Sequence, residues 1–152
     1  MTWAVREAIN HHRDRMLKPG DPVMLVSENR PEFCIADLAI MAAGCVTVPT
    51  YTTNTTRDHQ HILTDSGARA VIVSTAKLAQ ALMPAVIRSQ AAFVIGMEPL
   101  RGAQGSCACH LWADLIAAHA GDPAADVDIV AATQTATRND QACIIYTSGT
   151  GG

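Results

Sequence analysis

The sequence predicts an α/β fold in which a parallel β-sheet alternates with helices. Short apolar segments alternate along the chain with longer segments of helical apolar spacing, and the connections between them are short and rich in Gly and Pro. Of the 152 residues, 49% are hydrophobic but only 4% are aromatic, so the expected core is aliphatic. A chain of this length fits a single domain and can bury roughly two-thirds of its unfolded surface.

The first expected elements are a helix, a strand and a second helix. Residues 2–17 have mostly helical apolar spacing and are followed by a Pro- and Gly-containing break. The strand at 23–27 begins with four consecutive apolar residues, which indicates burial on both of its faces. Residues 28–44 predict a covered helix, with Asn29 as its cap and Gly44 at its end.

Two further strands and two further helices follow in alternation. We expect strands at 45–51 and 68–74, and between them a shorter helix at 55–67 that ends at a glycine. The next segment, 75–90, is helical in pattern, with a break expected at Pro84 because proline lacks the backbone donor.

The pattern is less regular in the last third of the chain. A fourth strand is expected at 91–96, a surface loop at 97–110 and a short helix at 111–120. Residues 121–140 are interpreted mostly as a connector. The fifth strand is expected at 142–146, and it leads directly into a turn of small residues.

Composition and charge exclude several classes of protein. The net charge is −3 and no cluster of Lys and Arg occurs, which argues against nucleic acid as the main partner. No apolar run reaches the about 18 residues of a membrane span, and the first residues do not form a secretory signal. Five cysteines at irregular spacing are most simply reduced thiols, so we expect a cytoplasmic protein.

The turn after the last expected strand is a candidate phosphate site. Ligands of parallel sheets bind at the carboxyl ends of strands, and a Gly-rich turn can point successive N–H groups at one anion. Hydroxyl groups add donors there, although composition alone also fits an ordinary flexible turn. The turn is not of the Walker type, because no lysine follows it. The candidate phosphate contacts are Thr147, Ser148, Gly149, Thr150, Gly151 and Gly152.

Residues 144–152 resemble the phosphate-binding loop of the AMP-forming adenylating superfamily, which includes acyl-CoA synthetases, peptide-synthetase adenylation domains and luciferases. The usual loop reads Tyr-Thr-Ser-Gly-Thr-Thr-Gly, and Gly151 stands where threonine is commoner, which removes one hydroxyl but keeps the backbone N–H groups. Residues 17–51 are similar to the early region of the same enzymes, especially those that activate long-chain fatty acids. Residues 61–74 resemble the helix and strand that follow there.

The resemblance implies an activity and its cofactors. In this superfamily ATP and a carboxylate give an acyl-adenylate and pyrophosphate, and a thiol, usually that of coenzyme A, then displaces AMP. The loop would hold the departing phosphates, and Mg²⁺ would share that task. The resemblance therefore implies that residues 1–152 are the partial N-terminal adenylation domain of an acyl-CoA synthetase. Its substrate would be a carboxylic acid, expected to be a long-chain fatty acid, and such substrates leave peripheral membrane association open.

Several functional residues of the superfamily would come after Gly152: the loop lysine, the acidic metal ligand, the ribose-binding aspartate and the lysine of the C-terminal domain. We therefore expect that the chain is cut inside its active-site loop, that it holds no catalytic residue and that it is inactive alone. Met1 is expected to be an internal methionine or an added start. The alternative is a naturally short, non-catalytic α/β module that binds a nucleotide or a protein.

A metal or redox protein is a third interpretation. Residues 107–110 read Cys-Ala-Cys-His, but this spacing is tighter than zinc sites use and no second pair is evident. His59 and His61 are two positions apart, so on a helix they would not share a face. Asp126 and Asp128 are interpreted as polar residues of the connector.

Overall fold

The computed structural model describes residues 17–100, 107–119 and 136–147, together with the single residues 6, 131 and 134. This part of the chain contains a five-stranded sheet in which every pair of neighbours is parallel, with the order β2-β1-β3-β4-β5. The α/β class is therefore confirmed. The strands are β1 (Pro22–Val26), β2 (Val46–Thr50), β3 (Ala70–Val73), β4 (Phe93–Gly96) and β5 (Ala108–Leu111); the helices are α1 (Pro31–Ala42), α2 (Thr56–Ser66), α3 (Ala76–Val86) and α4 (Trp112–His119).

Helices cover both faces of the sheet and bury an aliphatic core on each. Alternate side chains of β1 point to opposite faces, and the four residues from Val23 to Val26 are 0% exposed. One face packs against side chains of α1 and α4, among them Ala36, Ala39, Ile40 and Trp112. The other packs against α2 and α3 through Ile62, Leu63, Leu82 and Ala85. The expected burial of the first strand on both faces is confirmed.

The helix ends follow local chemistry, with one difference from expectation. α2 begins with a capping box, in which the Thr55 and Asp58 side chains each accept from the other's backbone N–H. It ends at Gly67, whose φ of 67° is left-handed and suits glycine. The expected cap of α1, Asn29, is wrong: Arg30 occupies the cap in an extended conformation and makes no side-chain capping bond.

The last three residues of the expected surface loop at 97–110 belong to β5, so that expectation is wrong at its end. β5 pairs with β4 in parallel register, Phe93 opposite Ala108 and Gly96 opposite Leu111. Its sequence, ACHL, has no β-branched residue and two of its four residues are exposed, so no local pattern marks it as a strand. The backbone groups at the edge of β4 supply the pairing instead.

The break expected at Pro84 is also absent, since α3 continues through Pro84 to Val86. The proline lies in the last turn of the helix, so its missing N–H and its ring disturb only the end of the hydrogen-bond ladder.

The strand expected at 142–146 is reduced to a single β-bridge with β2. Cys143 pairs with Thr47 in parallel. The Thr47 N–H donates to the Ala142 oxygen at 3.1 Å, and the Ile144 N–H donates to the Thr47 oxygen at 2.9 Å. The next outward-facing donor of β2 would belong to Pro49, which has no N–H, so the ladder stops there.

Two expected elements fall mainly outside the described residues. Of the expected helix 2–17 the structure describes only Arg6, which is helical, and Leu17, which is buried. The connector expected at 121–140 is described at residues 131 and 134, both exposed and helical, and from 136 onwards.

Candidate functional site

A cleft lies at the carboxyl ends of β1 and β2. Its volume is about 430 Å³, and its walls come from the turn after β1, the first turn of α1, the end of β2 and the segment before residue 147. The residues that line it are Ser27, Glu28, Asn29, Phe33, Pro49, Thr50, Tyr51, Thr52, Ile145 and Tyr146. In a parallel sheet this is the edge at which ligands bind.

The parallel bridge at Cys143 determines where the candidate phosphate loop begins. Because residues 142–144 run in the same direction as β2, the chain reaches the carboxyl edge of the sheet at Tyr146. Thr147 follows at once and is exposed. The other candidate phosphate contacts, Ser148, Gly149, Thr150, Gly151 and Gly152, lie outside the described residues. The phosphate contacts stay a prediction.

Tyr146 is held by a side-chain contact to α2. Its hydroxyl donates to Asp65 Oδ2 at 2.6 Å, and its ring lies edge-on to that of His61 with centroids 6.2 Å apart. Burial, together with the bond to Asp65, raises the pKa of Tyr146 to about 12. The phenol therefore keeps its proton, and with it the hydrogen bond, at neutral pH.

Glu28 places a negative charge on one wall of the cleft. The Ser74 hydroxyl donates to its carboxylate, and this bond is the main reason that the pKa of Glu28 is lowered. A carboxylate repels phosphate oxygens and accepts hydrogen bonds from hydroxyl or amine groups. A phosphate is thus disfavoured beside Glu28.

Thr50, another lining residue of this cleft, carries a buried hydroxyl. Its Oγ1 is buried and has no hydrogen-bond partner among the described residues. A hydroxyl can donate one hydrogen bond and accept two, so a bound molecule that reached it would satisfy a group that otherwise costs stability.

The histidines and cysteines of the described segments do not assemble into a metal centre. No group of three His, Cys, Asp or Glu residues among the described residues could hold an ion. His59 is buried and His61 exposed, which confirms that they do not share a face. Burial raises the pKa of Cys107 to about 11 and also raises that of Cys109. Both thiols of the metal-free protein therefore stay protonated at neutral pH.

The sequence reasoning did not single out the cleft residues Ser27, Glu28 and Tyr51. A signal for them existed: Ser27 and Glu28 are the first two residues after β1, Tyr51 is the first after β2, and the carboxyl ends of neighbouring parallel strands meet at one edge. Asp65 was missed as well, and no local pattern marks it.

None of the described helices is long and apolar enough to cross a membrane.

The parallel sheet, the cleft at its carboxyl edge and the position of Thr147 agree with a family assignment. The chain belongs to the AMP-binding enzyme family, whose model matches residues 7–152. It is similar to the long-chain-fatty-acid–CoA ligase FadD15 of Mycobacterium tuberculosis (strain ATCC 25618 / H37Rv), with 30% identity over 136 residues, 90% of this chain and 21% of that protein. The chain thus spans about a fifth of the length of the curated relatives it matches.

Solved structures share the fold. A benzoate CoA ligase from Burkholderia xenovorans LB400 matches with a TM-score of 0.62 and 29% identity, over 77% of this chain and 22% of that chain. The long-chain-fatty-acid-CoA ligase FadD1 from Archaeoglobus fulgidus matches with a TM-score of 0.66 and 16% identity, over 98% and 26%. The A domain of a carboxylic acid reductase from Segniliparus rugosus, in complex with AMP and a co-purified carboxylic acid, matches with a TM-score of 0.67 and 13% identity. The match covers 76% of this chain and 21% of that chain.

Proposed function

We propose that this chain is the N-terminal part of the adenylation domain of an ATP-dependent, AMP-forming carboxylate–CoA ligase. The observation that carries the proposal is the family match over residues 7–152, because it includes the whole candidate loop. The reaction joins a carboxylate oxygen to the α-phosphorus of ATP and releases pyrophosphate. The thiol of coenzyme A then attacks the acyl carbon and releases AMP.

The proposed role of the loop is to stabilise the departing pyrophosphate. Backbone N–H groups and hydroxyls from Thr147 to Gly152 would donate to the phosphate oxygens as negative charge develops on them. A Mg²⁺ ion would neutralise part of the same charge. The described residues contain no cluster of ligands for this ion, so its protein ligands are not assigned to them.

The proposed substrate is a long-chain fatty acid. The similarity to a ligase named for that substrate, at 30% identity, supports it. The ligase named for benzoate is similar at 29%, so an aryl acid is the competing substrate. We place the enzyme in the cytoplasm, where its cysteines would stay reduced, and at the membrane surface where it meets a long-chain acid.

ATP–pyrophosphate exchange tests the proposal. The complete protein encoded by the natural gene is expected to exchange labelled pyrophosphate into ATP when a long-chain acid is added, and more slowly with benzoate. Residues 1–152 alone are expected to give no exchange, since the lysine and acidic residues that the resemblance requires are not among them.

Exchange by residues 1–152 alone would contradict the claim of an incomplete site. A complete protein that shows no ATP–pyrophosphate exchange with any carboxylic acid tested would overturn the ligase assignment. ATP binding without exchange, measured by equilibrium dialysis on that protein, would support the alternative of a non-catalytic nucleotide-binding module.

A further inference from the structure

We propose that Asp65 is a positioning residue for the phosphate-binding loop and that it acts through Tyr146; this inference rests on the proposed function. Asp65 lies in the last turn of α2 and its side chain is exposed, so no need for core packing explains it. Its carboxylate accepts the Tyr146 hydroxyl at 2.6 Å, from a residue 81 positions later in the chain. The next residue after that tyrosine is Thr147, the first of the candidate phosphate contacts.

A second anchor lies three residues before Tyr146. The backbone of β2 holds Ala142 and Ile144 through the two hydrogen bonds of Thr47. Between the anchors, Ile145 is 63% exposed and contributes little packing. The side chains of Ile144 and Tyr146 also pack against the core that α2 and α3 cover. The hydrogen bond to Asp65 adds a directional contact at the end of the Tyr146 ring, which apolar packing alone does not supply.

The contact to Asp65 suits this task chemically. A hydrogen bond to a charged acceptor is shorter and stronger than one between neutral groups. The pKa of Tyr146, raised to about 12, keeps the donor protonated across the neutral range. The ring of His61 lies edge-on to that of Tyr146, an arrangement that aromatic pairs favour.

A segment whose residues Tyr146 and Thr147 are held in place before ATP arrives loses less conformational freedom on binding. Loss of the Tyr146–Asp65 bond should therefore weaken the use of ATP while leaving the binding of the carboxylic acid unchanged. An effect on ATP alone distinguishes a positioning role from a general loss of folded protein, because a loss of folded protein would lower the activity with ATP and with the carboxylic acid equally.

The test measures ATP–pyrophosphate exchange by the complete natural protein and by its Asp65→Ala, Tyr146→Phe and double variants. Each single change should lower kcat/KM for ATP by about three- to tenfold, the range for one lost hydrogen bond. The KM for the carboxylic acid should stay the same. The kcat/KM of the double variant should be no lower than that of the less active single variant, because each single change already removes the same hydrogen bond.

Asp65→Asn keeps an acceptor oxygen and should recover part of the lost kcat/KM. Asp114→Asn, which removes a carboxylate from the exposed face of α4, is the matched control and should behave as the wild type.

Additive losses in the double variant, or equal losses for ATP and for the carboxylic acid, would overturn this inference while the proposed function stands. A wild-type protein that shows no exchange with any acid would overturn the proposed function and the inference together.

Discussion

His59 is a titratable side chain enclosed by the packing of α2. It is 1% exposed, and its Nδ1 has no hydrogen-bond partner among the described residues. Burial lowers the pKa of His59 below its ordinary value of 6.5, an effect that the nearby Asp58 carboxylate partly offsets. The unfolded chain therefore binds a proton at His59 more readily than the folded chain does. The resulting contribution to stability is present above about pH 6.5 and is lost as the pH falls below that value.

We expect His59→Gln to weaken the loss of stability between pH 7.5 and pH 5.5. Chemical denaturation at the two pH values measures it, as the change in the free energy of unfolding for wild type and variant. His61→Gln, at an exposed histidine of the same helix, is the control variant. An identical slope in wild type and His59→Gln would contradict the assignment to His59.

Gly96 closes β4 where the backbone turns back on itself. A Cβ at this position would lie 2.6 Å from the Glu98 carbonyl oxygen and 2.7 Å from Leu100 Cγ. Gly96→Ala must therefore shift the backbone, and we expect it to lower the free energy of unfolding by about 1–3 kcal/mol. In the control, Gly67→Asn, nothing lies within 4 Å of an added Cβ and asparagine tolerates the left-handed φ. Equal stability of the two variants would show that the contact at Gly96 does not matter.

Among the elements, α2 is stabilised at its start by the capping box that Thr55 and Asp58 form. Thr55 Oγ1 accepts the Asp58 N–H at 3.4 Å, and the Asp58 carboxylate accepts the Thr55 N–H at 2.8 Å. Thr55→Ala removes one half of this box and should cost about 0.5–2 kcal/mol of stability, seen as a lower denaturation midpoint. Thr53→Ala, at an exposed residue just before the helix, should change the midpoint little. A midpoint for Thr55→Ala that matches that of the control would count against the cap.

The elements that were predictable from the sequence are those whose own residues dictate their packing. β1 is a continuous apolar run, and burial on both sheet faces requires such a run. β5 could not be predicted, since its pairing comes from β4 and not from the residues Ala108–Leu111. The opposite error occurred at 142–146, where an apolar run forms one bridge only, because Pro49 on the partner strand lacks the next donor.

The candidate site also has one feature that was predictable from the sequence and one that was not. The place of Thr147 at the carboxyl edge of the sheet follows from the order of strand and Gly-rich turn, which the sequence contains. The Tyr146–Asp65 contact does not follow, because it depends on the tertiary placement of residues 81 positions apart.

For the molecule as a whole, one residue of β2, Pro49, limits how far residues 142–147 pair with the sheet. Pro49→Ala would restore an outward N–H opposite the Ile144 carbonyl, and we expect the pairing to lengthen by one hydrogen bond. Amide hydrogen exchange at 144–146 should then become slower. Pro99→Ala, in the exposed turn after β4, is the control and should leave that exchange unchanged. Unchanged exchange in Pro49→Ala would mean that something other than the missing donor ends the ladder.

The long separation between Asp65 and Tyr146 also orders events during synthesis of the chain. The ribosome releases residues 17–111 before residue 142, and these contain every strand of the described sheet together with α1, α2 and α3. The docking points for the later segment, Thr47 and Asp65, thus lie on a surface that is complete before residue 142 emerges. The nascent chain must close a loop of 81 residues to reach Asp65, a step that folded strands make less costly in entropy. The Tyr146–Asp65 contact is therefore made late, after the sheet beneath it has formed.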